Sequence, residues 1–594
     1  MGIPNLFKII AISFPEIHYW NPDQHIDHLF IDANSIIYGI HASMDKTKSL
    51  TTIQYESLLI DGTFSFIMDL IDKYTHVNKS VYISFDGVPP KSKMKTQRIR
   101  RYKSVILDNM KQELRKKYGV QEELIKWNTS ANIAPGTSFM TKLNNVFEQY
   151  IKEGKLTKRN IKIIFSGTTV VGEGEIKFLK TIRDMRGTDD VVCVFSPDAD
   201  LLILTMTTHK NNILIMRGPP EQREIEEKFH YLEKGVPYIY VSIDKYRSAF
   251  IRELLSDDIV KNFLEVRIID DYAALVCFGG NDIMTPISYL KVNKQSTLKR
   301  GGLKILIEIY KKILLQRNEY FINVSEKDVI VNHEFLKELF LELAKSEDYH
   351  FRILKKSMED TKLGRENKER IEQEMSMTPY EKDLTRFEHL AFYHPDHIFY
   401  SKYKDVPELI DFNKDKYTYK SQYYSHLFGL NQKNIQEYNR VRSEICLNYM
   451  ESFIFNLKYY YFDVPDWRWE YRYNAAPMAS DIYTNIDKYI KDVNGIRFTL
   501  NPPYKPLEEL FMILPVQLGN LLPKKYHELM QGRLLPYFPI EVSLEPIIGQ
   551  KFIYADVMLP VLYDQEILPE LNRIKLTKKE EERNKIDDKP LIYS

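Results

Sequence analysis

Cysteine is scarce in this chain, with three in 594 residues: Cys193, Cys277 and Cys446. That excludes a disulfide framework, and it implies a reducing compartment. Cys193 and Cys277 lie in apolar, strand-like surroundings and behave as small hydrophobic residues rather than as zinc or disulfide partners. Long apolar runs are also missing; none approaches the roughly 18 residues of a membrane span. The start, Met1-Gly2-Ile3-Pro4-Asn5-Leu6, lacks a secretory signal, and Leu6 stands where a myristoylation motif requires Ser or Thr. An excess of one charge is absent as well. The 83 Lys and Arg nearly cancel 82 Asp and Glu, so net charge is silent about nucleic acid.

What remains is an ordinary soluble composition, 44% hydrophobic and 28% charged, on a chain too long for one core. Up to about residue 300, apolar strand-like runs alternate with amphipathic stretches. This predicts an α/β fold with a mostly parallel sheet. Residues 301–385 are assigned to a charged helical connector, whose Lys345–Arg386 stretch is expected to be solvated. Residues 386–574 form a mainly helical, aromatic-rich second domain, and 575–594 a charged tail, mainly frayed. Aromatic crowding such as Tyr459-Tyr460-Tyr461-Phe462 is read as core for most members. Trp467, Trp469 and Tyr471 follow a Pro-containing turn, alternate with polar residues, and are read as candidates for a stacking surface.

Seven carboxylates sit just past apolar runs or in the turn that follows. Leu29 to Ile31 precedes Asp32; Val81 to Phe85 precedes Asp86; Ile161 to Phe165 leads to Glu173 and Glu175; Val191 to Phe195 leads to Asp198 and Asp200; Ala273 to Phe278 leads to Asp282. In an open α/β sheet, groups at the carboxyl ends of strands converge on one crevice. Such a cluster stays ionised only when cations share it. Hard oxygen donors suit Mg²⁺ or Mn²⁺, and two such ions roughly 3.5–4 Å apart can drive phosphodiester hydrolysis. The bland alternative is that Glu173 and Glu175 complement a helix N-terminus while Asp198 starts a turn.

A basic run answers the acidic one. From Lys91 to Lys103 the chain reads KSKMKTQRIRRYK, with seven Lys or Arg and no acid. On a helix, Lys93, Gln97, Arg100 and Arg101 fall at i, i+4, i+7 and i+8, one face suited to a terminal phosphate. The alternative is a solvated basic helix or a nonspecific backbone patch.

Together these segments resemble the XRN family of 5′→3′ exoribonucleases. The resemblance runs through Met1-Gly2-Ile3-Pro4, Asp32-Ala33-Asn34, Asp86-Gly87-Val88-Pro89-Pro90-Lys91, Asn132 to Thr137, Gly172-Glu173-Gly174-Glu175, Asp198-Ala199-Asp200-Leu201 and Gly280-Asn281-Asp282. Beyond the connector it continues through Tyr459 to Asp481, Leu507 to Leu522 and Tyr537 to Ile548. It implies a Rossmann-like (PIN/FEN-type) nuclease domain. In it the seven carboxylates hold two Mg²⁺ ions, with Mn²⁺ as a substitute, and Lys93, Gln97, Arg100 and Arg101 form a pocket for a 5′-monophosphate. The implied partner is single-stranded RNA, degraded processively to mononucleotides, with decapping proteins upstream. An intracellular, monomeric enzyme is expected, cytoplasmic rather than nuclear, with viral origin open.

The sequence also departs from the family pattern. Tyr38 replaces a His that stacks on the terminal base, and it can stack in turn. After Trp469 the chain reads Tyr471-Arg472-Tyr473-Asn474-Ala475-Ala476-Pro477 in place of the usual Tyr-Pro-Tyr-His-Tyr-Ala-Pro. The zinc-knuckle insertion of nuclear members is missing, which gives the look of a minimal catalytic core. Two other functions compete with this reading. One is a flap endonuclease on DNA, although Ile283 to Lys291 lacks the glycines of a duplex-gripping hairpin. The other is an inactive RNA-binding scaffold.

Overall fold

Strands of the first half alternate their side chains between two cores. Leu29 and Ile31, Val81 and Ile83, and Cys193 and Phe195 face one core; Phe30, Tyr82, Val192 and Val194 face the other. This is the period of two that a pleated strand imposes. Both faces are covered, so the strands read as continuous apolar runs. The computed structural model describes residues 6–593 apart from 47–48, 122–126, 158, 220–234, 256–261, 292–300, 365–367 and 490–492. The opening Met1-Gly2-Ile3-Pro4 lies outside the described residues.

The main sheet contains β1 (His18–Tyr19), β2 (His28–Asp32), β3 (Ser80–Ser84), β4 (Lys162–Ser166), β5 (Val192–Phe195), β6 (Ile213–Arg217) and β7 (Ile239–Ser242). Their order is β1-β7-β6-β5-β2-β3-β4, and Leu591–Tyr593 is added outside β4. The five central strands, β6 to β4, are parallel; β7, β1 and the last strand are antiparallel. The charged tail is therefore not frayed. Its end pairs with β4, and Arg583 donates to the Gly136 carbonyl at 2.7 Å.

One expected strand is absent. Ala273 to Phe278 ends the helix Glu265–Val276 and enters a 3-10 turn at Cys277–Gly279. A short apolar run cannot by itself separate a buried helix from a buried strand, and here the apolar spacing extends back to Ile268 and Ile269. The three cysteines are buried and unpaired. No helix among the described residues is long and apolar enough to cross a membrane.

The helix Lys91–Tyr118 joins the halves. It starts after Pro90 and ends at Gly119, whose φ of 64° places it in the left-handed region that closes a helix. Met94 packs with Leu507 to Leu514, whereas Tyr102, Met110 and Leu114 enter an aromatic core with Phe387, Tyr419 and Tyr423. The supposedly solvated stretch Lys345–Arg386 contributes Phe351 and Met358 to that core. It is helical and charged, but one stripe of it is buried.

Candidate active site

The sheet reverses its winding between β2 and β5, because β3 and β4 build outward on one side of β2 and β5 follows on the other. A crevice opens at the carboxyl ends of the strands flanking such a reversal. Asp32 ends β2, Asp86 follows β3, and Asp198 and Asp200 follow β5. Glu173 and Glu175 lie at the first turn of the helix Gly174–Asp184 after β4. Oxygens of Asp32, Asp86 and Glu175 all lie within 4.8 Å of one another. Glycine at 174 lets the helix approach: its backbone N–H donates to Asp86 Oδ1 at 2.7 Å, and an added Cβ would stand 3.4 Å from oxygens of both Asp32 and Asp86.

Neutral donors fix the carboxylates. Asn34 donates to Asp86 Oδ2 at 2.7 Å and accepts from the Asp86 N–H. Ser196 donates to Asp32 Oδ2 at 2.9 Å and accepts from the Asp198 N–H. Tyr459, from the helix Ile435–Tyr461, donates to Glu173 Oε2 at 2.6 Å.

The basic helix supplies the opposite charge. Lys93 pairs with Glu173 and, at 2.9 Å, with Asp282; Arg100 reaches Asp282 at 2.8 Å. Asp282, although it comes from a helix and not from a sheet strand, thus joins the cluster. Arg101 is buried, donates to the Gln97 carbonyl and keeps its Nε unpartnered; the Gln97 side-chain oxygen is also unpartnered.

Burial pushes Asp32 well above the usual carboxylate range, and Asp86 and Asp198 push it further. Glu175 and Asp200 are raised chiefly by burial as well. Asp282 goes the other way: burial alone would raise it, yet Lys93 and Arg100 outweigh burial and hold it far below. Lys93 shows the reciprocal balance, as the pull of Asp282, Glu173 and Glu175 overcomes its burial. One buried oxygen, Asp200 Oδ1, has no hydrogen-bond partner. A triad of close carboxylates, an orphaned carboxylate oxygen and an all-oxygen donor set fit a hard divalent cation.

The stacking candidates divide. Tyr38, on the helix Asn34–Ser43, is 42% exposed. Trp469 stacks on Phe455 at 4.8 Å and meets Phe498 edge-on, and Trp467 packs against the same core. Tyr471 is buried and its hydroxyl is tied to the Ala475 carbonyl, so it offers no stacking surface there. For Tyr471 the alternation with polar residues is satisfied by the buried aromatic cluster, while Trp467 and Trp469 are only half-buried against it.

Four supporting residues had no motif to announce them. Ser196 could have been suspected as a small hydroxyl between β5 and Asp198, whereas Tyr459 was hidden in an aromatic run. Lys177 donates to the carbonyls of Phe85 and Gly167 at 2.7 and 2.9 Å, tying the ends of β3 and β4. Burial lowers it to about 7 against the pull of Asp86 and Glu175. Glu509 is buried with neither carboxylate oxygen hydrogen-bonded, and burial raises it to about 8 despite Arg101.

Residues 1–219 match the family described as XRN 5′-3′ exonuclease N-terminus, and residues 413–594 match the Xrn1 helical domain. The chain is 25% identical over 718 residues to 5′-3′ exoribonuclease 1 of Saccharomyces cerevisiae, covering 100% of this chain and 44% of that protein. It is 26% identical over 633 residues to human 5′-3′ exoribonuclease 1, covering 98% and 35%. With 5′-3′ exoribonuclease 2 of Debaryomyces hansenii it shares 24% over 743 residues, covering 100% and 72%. The chain thus spans less than half of the first two relatives. Matched at both ends by domains of one family, and aligned over its whole length with proteins of that family, the chain belongs to the XRN family.

Proposed function

We propose that this chain hydrolyses single-stranded RNA bearing a 5′-monophosphate, processively from 5′ to 3′, releasing mononucleotides. The observation that carries this reading is the adjacency of two opposite charge sets: the close carboxylates Asp32, Asp86 and Glu175 at the switch point, and a cationic helix face that pairs through Lys93 and Arg100 with Glu173 and Asp282. The names of the relatives, 5′-3′ exoribonucleases, point the same way.

Asp32, Asp86 and Glu175, with Glu173, Asp198, Asp200 and Asp282 around them, would hold two Mg²⁺ ions, or Mn²⁺ in their place. Bound there, the metal supplies charge neutralisation on the scissile phosphate and a hydroxide near neutral pH. The protein's own part is positioning. Asn34, Ser196 and the Gly174 N–H hold the carboxylates at fixed angles, so little reorganisation accompanies the reaction. Arg101 and Gln97, with unpartnered polar atoms, together with Lys93 and Arg100 would grip the terminal phosphate. Tyr38, exposed on the same side, would stack on the first base. Such a grip would favour a single terminal phosphate, and each cut would make a new 5′-phosphate to be drawn in.

The test is a product assay on RNAs with defined 5′ ends. Mononucleotides without early internal fragments, with the monophosphate end preferred, are expected. Preferential cutting of a DNA flap would sink the assignment.

A further inference from the structure

The basic helix carries a second functional face. Ser92, Thr96, Ile99 and Lys103 follow one another at i, i+4, i+7 and i+11, beside the face that holds Lys93 and Arg101. This second face lines a cavity of about 570 Å³, within the roughly 300–1,000 Å³ range of small-molecule sites. Tyr38 and Arg101 do not line it, whereas Arg100, Asp198 and Asp282 do. The cavity therefore reaches the acidic cluster without including Tyr38 in its lining.

Its lining is cationic. Among the described lining residues, lysines and arginines outnumber aspartates six to three, and two of those aspartates belong to the acidic cluster. Among the described residues, Lys103, Arg217 and Lys291 form no ion pair. Lys103 sits 5.2 Å above the Phe552 ring, Arg217 lies 3.4 Å from the centre of the Phe7 ring, and Lys291 donates to the Tyr554 carbonyl at 3.1 Å. Burial lowers Lys103 to about 8 and Arg217 to about 10. Asp556 acts on Lys103 and Asp198 on Arg217, but burial outweighs both, so neither cation is fully compensated for its desolvation.

Processive hydrolysis creates a traffic problem, because after each cut the remaining RNA occupies the approach beside Tyr38. The freed nucleotide, its phosphate at Arg100, cannot retreat through the strand that follows it. We propose that this cavity receives the nucleoside 5′-monophosphate released at each cut and is its way out. The inference rests on the exonuclease reading above.

The test uses Lys103→Gln/Arg217→Gln and Arg217→Glu in the whole chain, with added 5′-AMP as probe. Two rates are followed: release of the first labelled nucleotide in a single turnover, and steady-state degradation. The neutral double variant should need about tenfold more AMP for half-inhibition, the loss expected when charge-assisted contacts to phosphate disappear. Arg217→Glu should slow steady-state degradation about tenfold by the same reasoning, while both variants keep the wild-type single-turnover rate. That retained rate also shows the variants are folded. Unchanged AMP inhibition and steady-state rate would overturn the proposal, and so would an equal fall in the single-turnover rate, which would place these cations in substrate binding. A wild-type protein that releases no mononucleotide defeats the exonuclease reading itself, a result distinguishable from both.

Discussion

Tyr459 donates its hydroxyl hydrogen to Glu173 Oε2 at 2.6 Å, joining the helical second half to a carboxylate of the sheet's crevice. Both groups are buried. The aromatic half of the chain thus reaches a carboxylate of the acidic crevice directly.

Tyr459→Phe removes that one bond and keeps the ring. A hydrogen bond to a charged group contributes about 1.5–3 kcal/mol, so kcat/KM on 5′-phosphorylated RNA should fall about tenfold or more. Unchanged kinetics would show that Glu173 is held without it.

Asp200→Asn keeps shape while removing the charge on the orphaned oxygen. Hydrolysis should drop by about a thousandfold or more, since several kcal/mol of charge stabilisation are lost. RNA binding, measured by filter retention, should persist. Chelation with EDTA should silence the wild type, and Mg²⁺ or Mn²⁺ should restore it; full activity of the variant would remove Asp200 from the metal set.

Arg101→Ala addresses end recognition. Its guanidinium is buried with Nε unpartnered, so an arriving phosphate gains a charge-assisted bond. The preference for monophosphate over hydroxyl ends should shrink by about tenfold or more, with hydroxyl-ended RNA cut as before. Equal loss on both substrates would mean general backbone binding instead.

His397 sets a pH dependence of stability. Its Nδ1 accepts from the Phe399 N–H at 2.9 Å and its Nε2 faces the Phe387 carbonyl at 3.2 Å, an arrangement only the neutral ring satisfies. Burial lowers it to about 4 from 6.5. The unfolded chain therefore binds the proton first, and stability falls as pH drops from about 6.5 towards 4. The full contribution is on the order of 3 kcal/mol. The stability difference between wild type and His397→Gln in urea should narrow as pH falls through that window; a constant difference would count against the assignment.

Much of this was legible in the sequence. Asp32, Asp86, Asp198 and Asp200 followed apolar runs that are strands, and the KSKMKTQRIRRYK run is a helix with Lys93 and Arg100 reaching the acids. Topology and charge are written locally, in periodicity and in sign. One failure was local and two were not. The run before Asp282 is helical because its apolar spacing is continuous with Ile268 and Ile269. Tyr471 is buried because the aromatic cluster closes over it, and Tyr459 meets Glu173 only through tertiary packing. No window of sequence contains such contacts.

The strand Leu591–Tyr593 pairs with β4, the outermost of the central parallel strands. While the ribosome is still making the second half, β4 has one rim of amides and carbonyls without a mate, and an open rim of that kind recruits foreign strands. Nascent chains stalled before Leu591 should consequently clump, and holding chaperones should bind them until that strand is made.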